Sequence, residues 1–305
     1  MPNTTPVKTC EFQNHHMDST RWNDFEFRAD DIVIATWAKS GTTWAQQIVG
    51  QLLYDGAEDV PIMTLCPWIE QRGVPLDKVL AQLAQQTHRR FLKTHLPVES
   101  LVMSDAARYV FIGRDGRDAL WSWYNHHSGY TDIIYDLFNN APGLVGPPLE
   151  RPGDDIVAYF HAWLDGDGFP AWPFFSNIQS WWDIRAQPNV MLLHFNDMKA
   201  DLAGSMRRIA TFLDIAVDTE RWPAMVDHCT FDYMQARAET IMPNLSKGML
   251  GGGKRFIYKG TNGRWRDILS AADIAKYEAI AAQSLSPECA LWLAGDAPSD
   301  SKMQI

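Results

Sequence analysis

The stretch Asp31–Asp55, DIVIATWAKSGTTWAQQIVGQLLYD, decides the fold. Ile32, Val33, Ile34 and Ala35 are an uninterrupted apolar run, as a strand buried on both faces requires, while Trp44, Ala45, Ile48, Val49 and Leu52 recur at helical spacing. Between them the turn Lys39-Ser40-Gly41-Thr42-Thr43 brings a cation, a glycine and three hydroxyls to a helix N-terminus. There the first N–H groups lack intrahelical partners and the helix dipole is positive, which suits a phosphate-like anion. An ordinary Ser/Thr N-cap uses the same residue types. The rest of the chain has to decide between the two.

Working outward, the strand-turn-helix unit recurs. Arg90–His95 (RFLKTH) reads as a strand whose polar tip carries Lys93, Thr94 and His95, ended by Pro97. Arg108–Gly113 (RYVFIG) reads as another, handing over through Arg114-Asp115-Gly116-Arg117-Asp118 to a helix over 119–127. Val190–Phe195 (VMLLHF) is a fourth, and the patterns predict helices over 76–85, 155–164, 175–186, 201–213, 221–228 and 271–285. Repeated units of this kind imply a single α/β domain: a central parallel sheet flanked by helices, with ligands at the carboxyl ends of the strands. Lys39, Lys93, His95 and Arg114 would then share one rim. The sequence divides into a flexible N-terminal arm (1–20), where adjacent His15 and His16 read as frayed chain and not as a metal site, the domain proper (21–295), and a loose tail (296–305). Residues 60–70 and 139–153 read as loops, the latter with four prolines and three glycines. Residues 238–253, with consecutive Gly251, Gly252 and Gly253, read as a mobile lid.

The chain has 305 residues, 46% of them hydrophobic, enough for a sizeable core. Thirteen Trp, fourteen Phe and nine Tyr suggest an aromatic-walled pocket besides that core. A net charge of -10 argues against nucleic acid as a partner, whereas Lys254–Arg266 (KRFIYKGTNGRWR) reverses that field locally with five cations and no acid. Cys10, Cys66, Cys229 and Cys289 show no metal-ligand spacing, no signal peptide precedes the polar N-terminus, and no apolar run reaches the ~18–20 residues of a membrane helix. The expectation is a soluble, cytoplasmic protein that needs no metal and does not engage membranes.

Four blocks carry a resemblance. WAKSGTTW (Trp37–Trp44), LKTHLP (Leu92–Pro97), GRDGRDALWSWY (Gly113–Tyr124) and YKGTNGRW (Tyr258–Trp265), with PWIE (Pro67–Glu70) as a weaker match, are similar to the ordered signatures of the cytosolic sulfotransferases that use 3'-phosphoadenosine 5'-phosphosulfate (PAPS) and release its desulfated product PAP. The resemblance implies a P-loop-like site in which Lys39, Ser40, Gly41, Thr42 and Thr43 hold the 5'-phosphosulfate, Lys93 stabilises the moving sulfuryl and His95 is the general base. It assigns the 3'-phosphate to Arg114, Ser122, Lys259 and Gly260, and the adenine to Trp44 and Phe231, near Cys229 and Phe195. These two replace a family threonine and tyrosine. The family has RKG where this chain has Tyr258-Lys259-Gly260, which makes Arg255 or Lys254 the candidate for the missing arginine. Trp68, His126, Tyr130 and the surroundings of Phe174 are expected to line the site of a small, mostly apolar phenol or alcohol. His126 and His127 are rival bases. The dimer motif is fragmentary after Arg266, so a monomer or weak homodimer is expected.

Sulfuryl transfer, like phosphoryl transfer, rests on positioning and charge stabilisation, and these residue types supply both. The competing class is an ATP- and Mg-dependent P-loop kinase or NTPase. Lys39-Ser40 mimics its Lys-Ser/Thr pair, but the glycine follows the lysine, contrary to GxxxxGK[ST]. A nucleotide-binding module without catalysis is a third class, disfavoured by the joint presence of Lys39, Lys93 and His95.

Overall fold

The computed structural model describes residues 5–243 and 245–295. Four strands, β1 (Ile32–Thr36), β2 (Phe91–Thr94), β3 (Arg108–Gly113) and β4 (Val190–His194), form one parallel sheet in the order β2-β1-β3-β4. In register, Ile32 pairs with Phe91 and Arg108, and Tyr109 with Val190. The order of strand connection reverses at β1: β2 lies on one side of it and β3 on the other. A crevice therefore opens at their carboxyl ends, the topological switch point where open α/β sheets bind ligands.

Side chains alternate across the strands, and both faces are covered. Val33, Ala35, Leu92, Tyr109 and Phe111 meet a layer rich in tryptophan, including Trp37, Trp163 and Trp181. Ile32, Ile34, Phe91, Val110 and Ile112 meet Ile48 and Val49 of helix α1 (Thr42–Leu53) together with Met206 and Ile209. The lower end of the sheet is pinned by a buried ion pair, in which Arg90 Nε donates to Asp31 Oδ1 at 2.8 Å.

Helices form where their patterns predict, over Leu76–Gln85, Gly116–His127, Ile156–Asp165, Phe175–Asp183, Leu202–Phe212, Trp222–His228 and Ala271–Ser284. Elsewhere the structure corrects the sequence reading. Within the supposed flexible arm, His15, His16 and Met17 are buried, the Arg72 N–H donates to the His16 carbonyl (2.9 Å), and Asn14 Nδ2 donates to Ala171 O (2.6 Å). Polar composition misled here because these side chains find partners in distant loops. Helix Asp132–Asn139 was not anticipated, and Pro287–Ala294 is a helix whose Trp292 packs against Gly113. The segment expected to be a lid carries short helices that the sequence reading did not give, Ala238–Ile241, Leu245–Gly248 and Gly252–Phe256, with Asn244 outside the described residues. The expected tail, 296–305, also lies outside them.

Candidate active site

At the switch point, Lys39 has φ +65° and Gly41 φ +110°, so the chain after β1 turns sharply and enters α1 with Gly41 as N-cap. A Cβ on Gly41 would lie 3.1 Å from the Phe195 ring, so both space and backbone select glycine. No side chain caps α1 and no acid sits in its first turn, so the ordinary N-cap reading does not hold. The unpaired N–H groups of that turn belong to a cavity of about 570 Å³ lined by Lys39, Gly41, Thr42, Thr43 and Trp44. Ser40 does not line it; its hydroxyl is buried without a hydrogen-bond partner among the described residues.

The lysines approach the same space. Lys39 Nζ lies 4.1 Å from the centre of the Phe256 ring, and Lys93 Nζ 4.8 Å from that of Trp68. Burial, reinforced by Arg114 and Lys93, lowers the Lys39 ammonium to about 7. Burial also lowers Lys93. Desolvated cations crowded together in this way await a counter-anion.

His95 is held on every side. Its backbone N–H donates to Glu70 Oε1 (2.7 Å), its carbonyl accepts from Asn177 Nδ2 (3.0 Å), and its ring lies 5.5 Å from Trp172 in a stack. Nδ1 is 2.8 Å from the Thr36 carbonyl. A carbonyl only accepts, so Nδ1 carries the proton and Nε2 keeps its lone pair. Burial, then Lys93 and Lys39, lower this imidazole to about 3. An anion bound between the lysines would relieve their part of that shift and restore basicity.

Arg114 lines the cavity from the end of β3 and ties the two loops together, Nη1 donating to Lys39 O (2.8 Å) and Nη2 to Asn262 Oδ1 (2.6 Å). Its buried Nε has no partner among the described residues. Ser122, Lys259 and Gly260 line the same end, where Gly260 (φ +60°) faces the Phe231 ring so closely that a Cβ would stand 2.7 Å from it. Trp44 donates its indole N–H to the Cys229 carbonyl (2.7 Å). Cys229 itself is buried behind the wall. Arg255 is placed elsewhere: Nη2 reaches Ser128 Oγ (3.2 Å) and Asn125 O (3.4 Å), away from the cavity. Arg264 and Lys199 line the cavity instead, neither of them singled out in the sequence.

Trp68, His126 and Tyr130 line the other half of the cavity, together with Trp172, His16, Ile134, Phe138 and Met249. Phe174 is not part of it; it packs behind Trp37 at 5.3 Å. His127, the rival base, bonds the Tyr159 hydroxyl (3.0 Å) outside the cavity. No motif pointed to Trp172 or His16, which arrive from segments remote in sequence.

A cationic, P-loop-like cradle facing an oriented imidazole is a group-transfer site. The profile of the family described as "Sulfotransferase domain" matches residues 29–287. A glycolipid sulfotransferase of Mycobacterium tuberculosis is 32% identical over 296 residues, covering 90% of this chain and 91% of that protein. Mouse sulfotransferase 1B1 is 28% identical, covering 87% and 86%. The crystal structure of a mouse sulfotransferase complexed with PAP superposes with TM-score 0.69 at 19% identity, covering 92% of this chain and 93% of that one. The chain belongs to the sulfotransferase family. Among the described residues no helix is long and apolar enough to cross a membrane.

Proposed function

We propose that the protein transfers the sulfuryl group of PAPS to a hydroxyl of a mostly apolar acceptor, with His95 as general base. The observation that carries the assignment of the base is the His95 Nδ1–Thr36 O hydrogen bond, which leaves Nε2 unprotonated on the cavity beside Lys93. The acceptor oxygen forms its bond to sulfur as the bond from sulfur to the 5'-phosphate oxygen breaks. His95 Nε2 takes the acceptor's proton. Lys39 and the N–H groups of α1 neutralise the departing phosphate oxygen, and Lys93 the sulfuryl in transit. Arg114, Ser122, Lys259 and Gly260 hold the 3'-phosphate, and Trp44 with Phe231 the adenine. The titratable and polar atoms left unpaired there, Arg114 Nε among them, suit a polyanion.

Apolar lining by Ile134, Phe138 and Met249 suits an acceptor with a hydrocarbon portion. The mycobacterial relatives are named for glycolipids. A sugar-bearing lipid therefore stands beside simple phenols and alcohols as a candidate.

The test is His95→Ala. Turnover should fall by about 10³ or more while PAP still raises the melting temperature. Near-normal turnover would remove His95 from the mechanism. Transfer that persists in EDTA and is unsupported by ATP separates this reading from the kinase alternative.

A further inference from the structure

A line of hydrogen bonds runs from the N-terminal segment into the acceptor half of the cavity, and its polarity can be worked out. His15 Nε2 lies 2.8 Å from the Pro170 carbonyl, so that nitrogen carries a proton. Burial disfavours the charged form of both His15, lowered to about 4, and His16, so each ring is neutral with a single N–H. His15 Nδ1 is then bare, and it is bonded to His16 Nδ1, which must donate. That leaves His16 Nε2 bare. Its partner, at 3.3 Å, is the Tyr130 hydroxyl, which must donate in turn. The one proton of Tyr130 is committed to His16, and a ligand reaching the phenol oxygen meets lone pairs only.

An unsatisfied group stands beside it. The rings of His126 and Tyr130 are 4.8 Å apart, both residues line the cavity, and His126 Nδ1 is buried with no hydrogen-bond partner among the described residues. A half-turn of the imidazole about Cβ–Cγ exchanges Nδ1 with Cδ2, so the ring can present that nitrogen to a ligand. Ring contacts join the pair to the base through other rings: His95 to Trp172 is 5.5 Å, Trp172 to His16 6.1 Å and His16 to Tyr130 6.1 Å.

We propose that Tyr130 and His126 form a second polar subsite, in which Tyr130, oriented as an acceptor by the His15–His16 relay, receives a hydroxyl proton of the acceptor molecule. The preferred acceptors are therefore diols or polyols with an apolar portion, one hydroxyl at His95 and another at Tyr130. This rests on the sulfotransferase reading and narrows it to a substrate class. A site built to receive a hydroxyl discriminates against the analogue that lacks it, since its own polar groups then stay unpaired.

The experiment uses the full chain with PAPS and matched acceptors: 2-naphthol against 2,7-dihydroxynaphthalene, and 1-octanol against octyl glucoside. The dihydroxy or polyhydroxy member of at least one pair should show kcat/KM at least tenfold above its partner. That ratio should fall to about twofold or less in Tyr130→Phe, and fall in His15→Leu, which removes the far end of the relay without touching the cavity. Retention of the PAP-induced thermal shift shows that each variant is folded. Equal rates within both pairs, a preference undiminished in Tyr130→Phe, or PAP binding without turnover of either pair would overturn the subsite. Absence of both PAP binding and transfer would instead overturn the donor reading beneath it.

Discussion

Lys39 provides the sharpest quantitative test of the cradle. In the free protein its ammonium sits at about 7, chiefly because it is desolvated and secondarily because Arg114 and Lys93 lie close. At pH 8 about nine-tenths of the molecules therefore carry a neutral amine there, against almost none for an ordinary lysine. A 5'-phosphate placed against Nζ favours the ammonium, so PAP binding must take up a proton wherever the free amine is neutral. Uptake at pH 8 should approach 0.9 proton per PAP, and the apparent Kd should weaken about tenfold per pH unit above 7, about 1.4 kcal/mol each. The ligand does not confuse the measurement, because phosphate second ionisations near 6 are complete in this range. Calorimetric titration with PAP in buffers of different protonation enthalpy reads the uptake directly. Lys39→Arg, which cannot lose its charge, should remove the Lys39 share of the uptake, leaving only what the likewise lowered Lys93 contributes, and reduce the pH dependence. The stability of the free protein moves the other way: between pH 7 and 10.5 the unfolded chain binds the extra proton, so stability rises with pH while PAP affinity falls. Measurable PAP binding with no proton uptake at pH 8 would refute the account, because Lys39 would already be charged.

Three substitutions probe other parts of the argument. Asp31→Ala strands the buried Arg90 guanidinium and should cost about 3–5 kcal/mol in urea unfolding, whereas Asp31→Ala with Arg90→Met should cost less than the two single changes summed. Gly41→Ala places a side chain at φ +110° and against Phe195, a strain of about 1–3 kcal/mol that should appear as weaker PAP binding, with α1 intact by circular dichroism. Arg255→Ala should leave the PAP Kd within about twofold, since its donors go to Ser128 and Asn125 and each such bond is worth about 1 kcal/mol. A tenfold loss of PAP affinity in this variant would return Arg255 to the donor site.

The sequence discloses the strand-end half of the cavity far better than the aromatic half, and the reason is physical. Lys39, Lys93, His95 and Arg114 occupy the ends of parallel strands, and a strand-turn-helix pattern tells where each strand ends. Their convergence follows from topology alone. Trp172 and His16 follow from no such rule. Trp172 reaches the wall from an irregular connection ahead of helix Phe175–Asp183, and His16 from a segment whose polarity looked like that of free chain. Their placement depends on long-range hydrogen bonds, Trp37 Nε1 to Trp172 O (3.1 Å) and Arg72 N to His16 O, which leave no local pattern. Arg255 and Arg264 show the limit at the level of single residues. Both lie in one cationic stretch, yet Arg255 sits in helix Gly252–Phe256 bonded to Ser128 and Asn125, while Arg264 follows the positive-φ turns at Gly260 and Gly263 and faces the cavity.

That division between the halves has a consequence for specificity. On the function proposed above, handling of the donor falls to contiguous, topologically constrained units, where a change in strand ends would disturb the sheet itself. Choice of acceptor, on the same proposal, falls to an N-terminal segment and loops that hang on a few long-range hydrogen bonds. On that proposal, substitutions near His16 and Tyr130 would change which acceptor is taken while leaving the strand-end cradle, and with it the use of activated sulfate, intact.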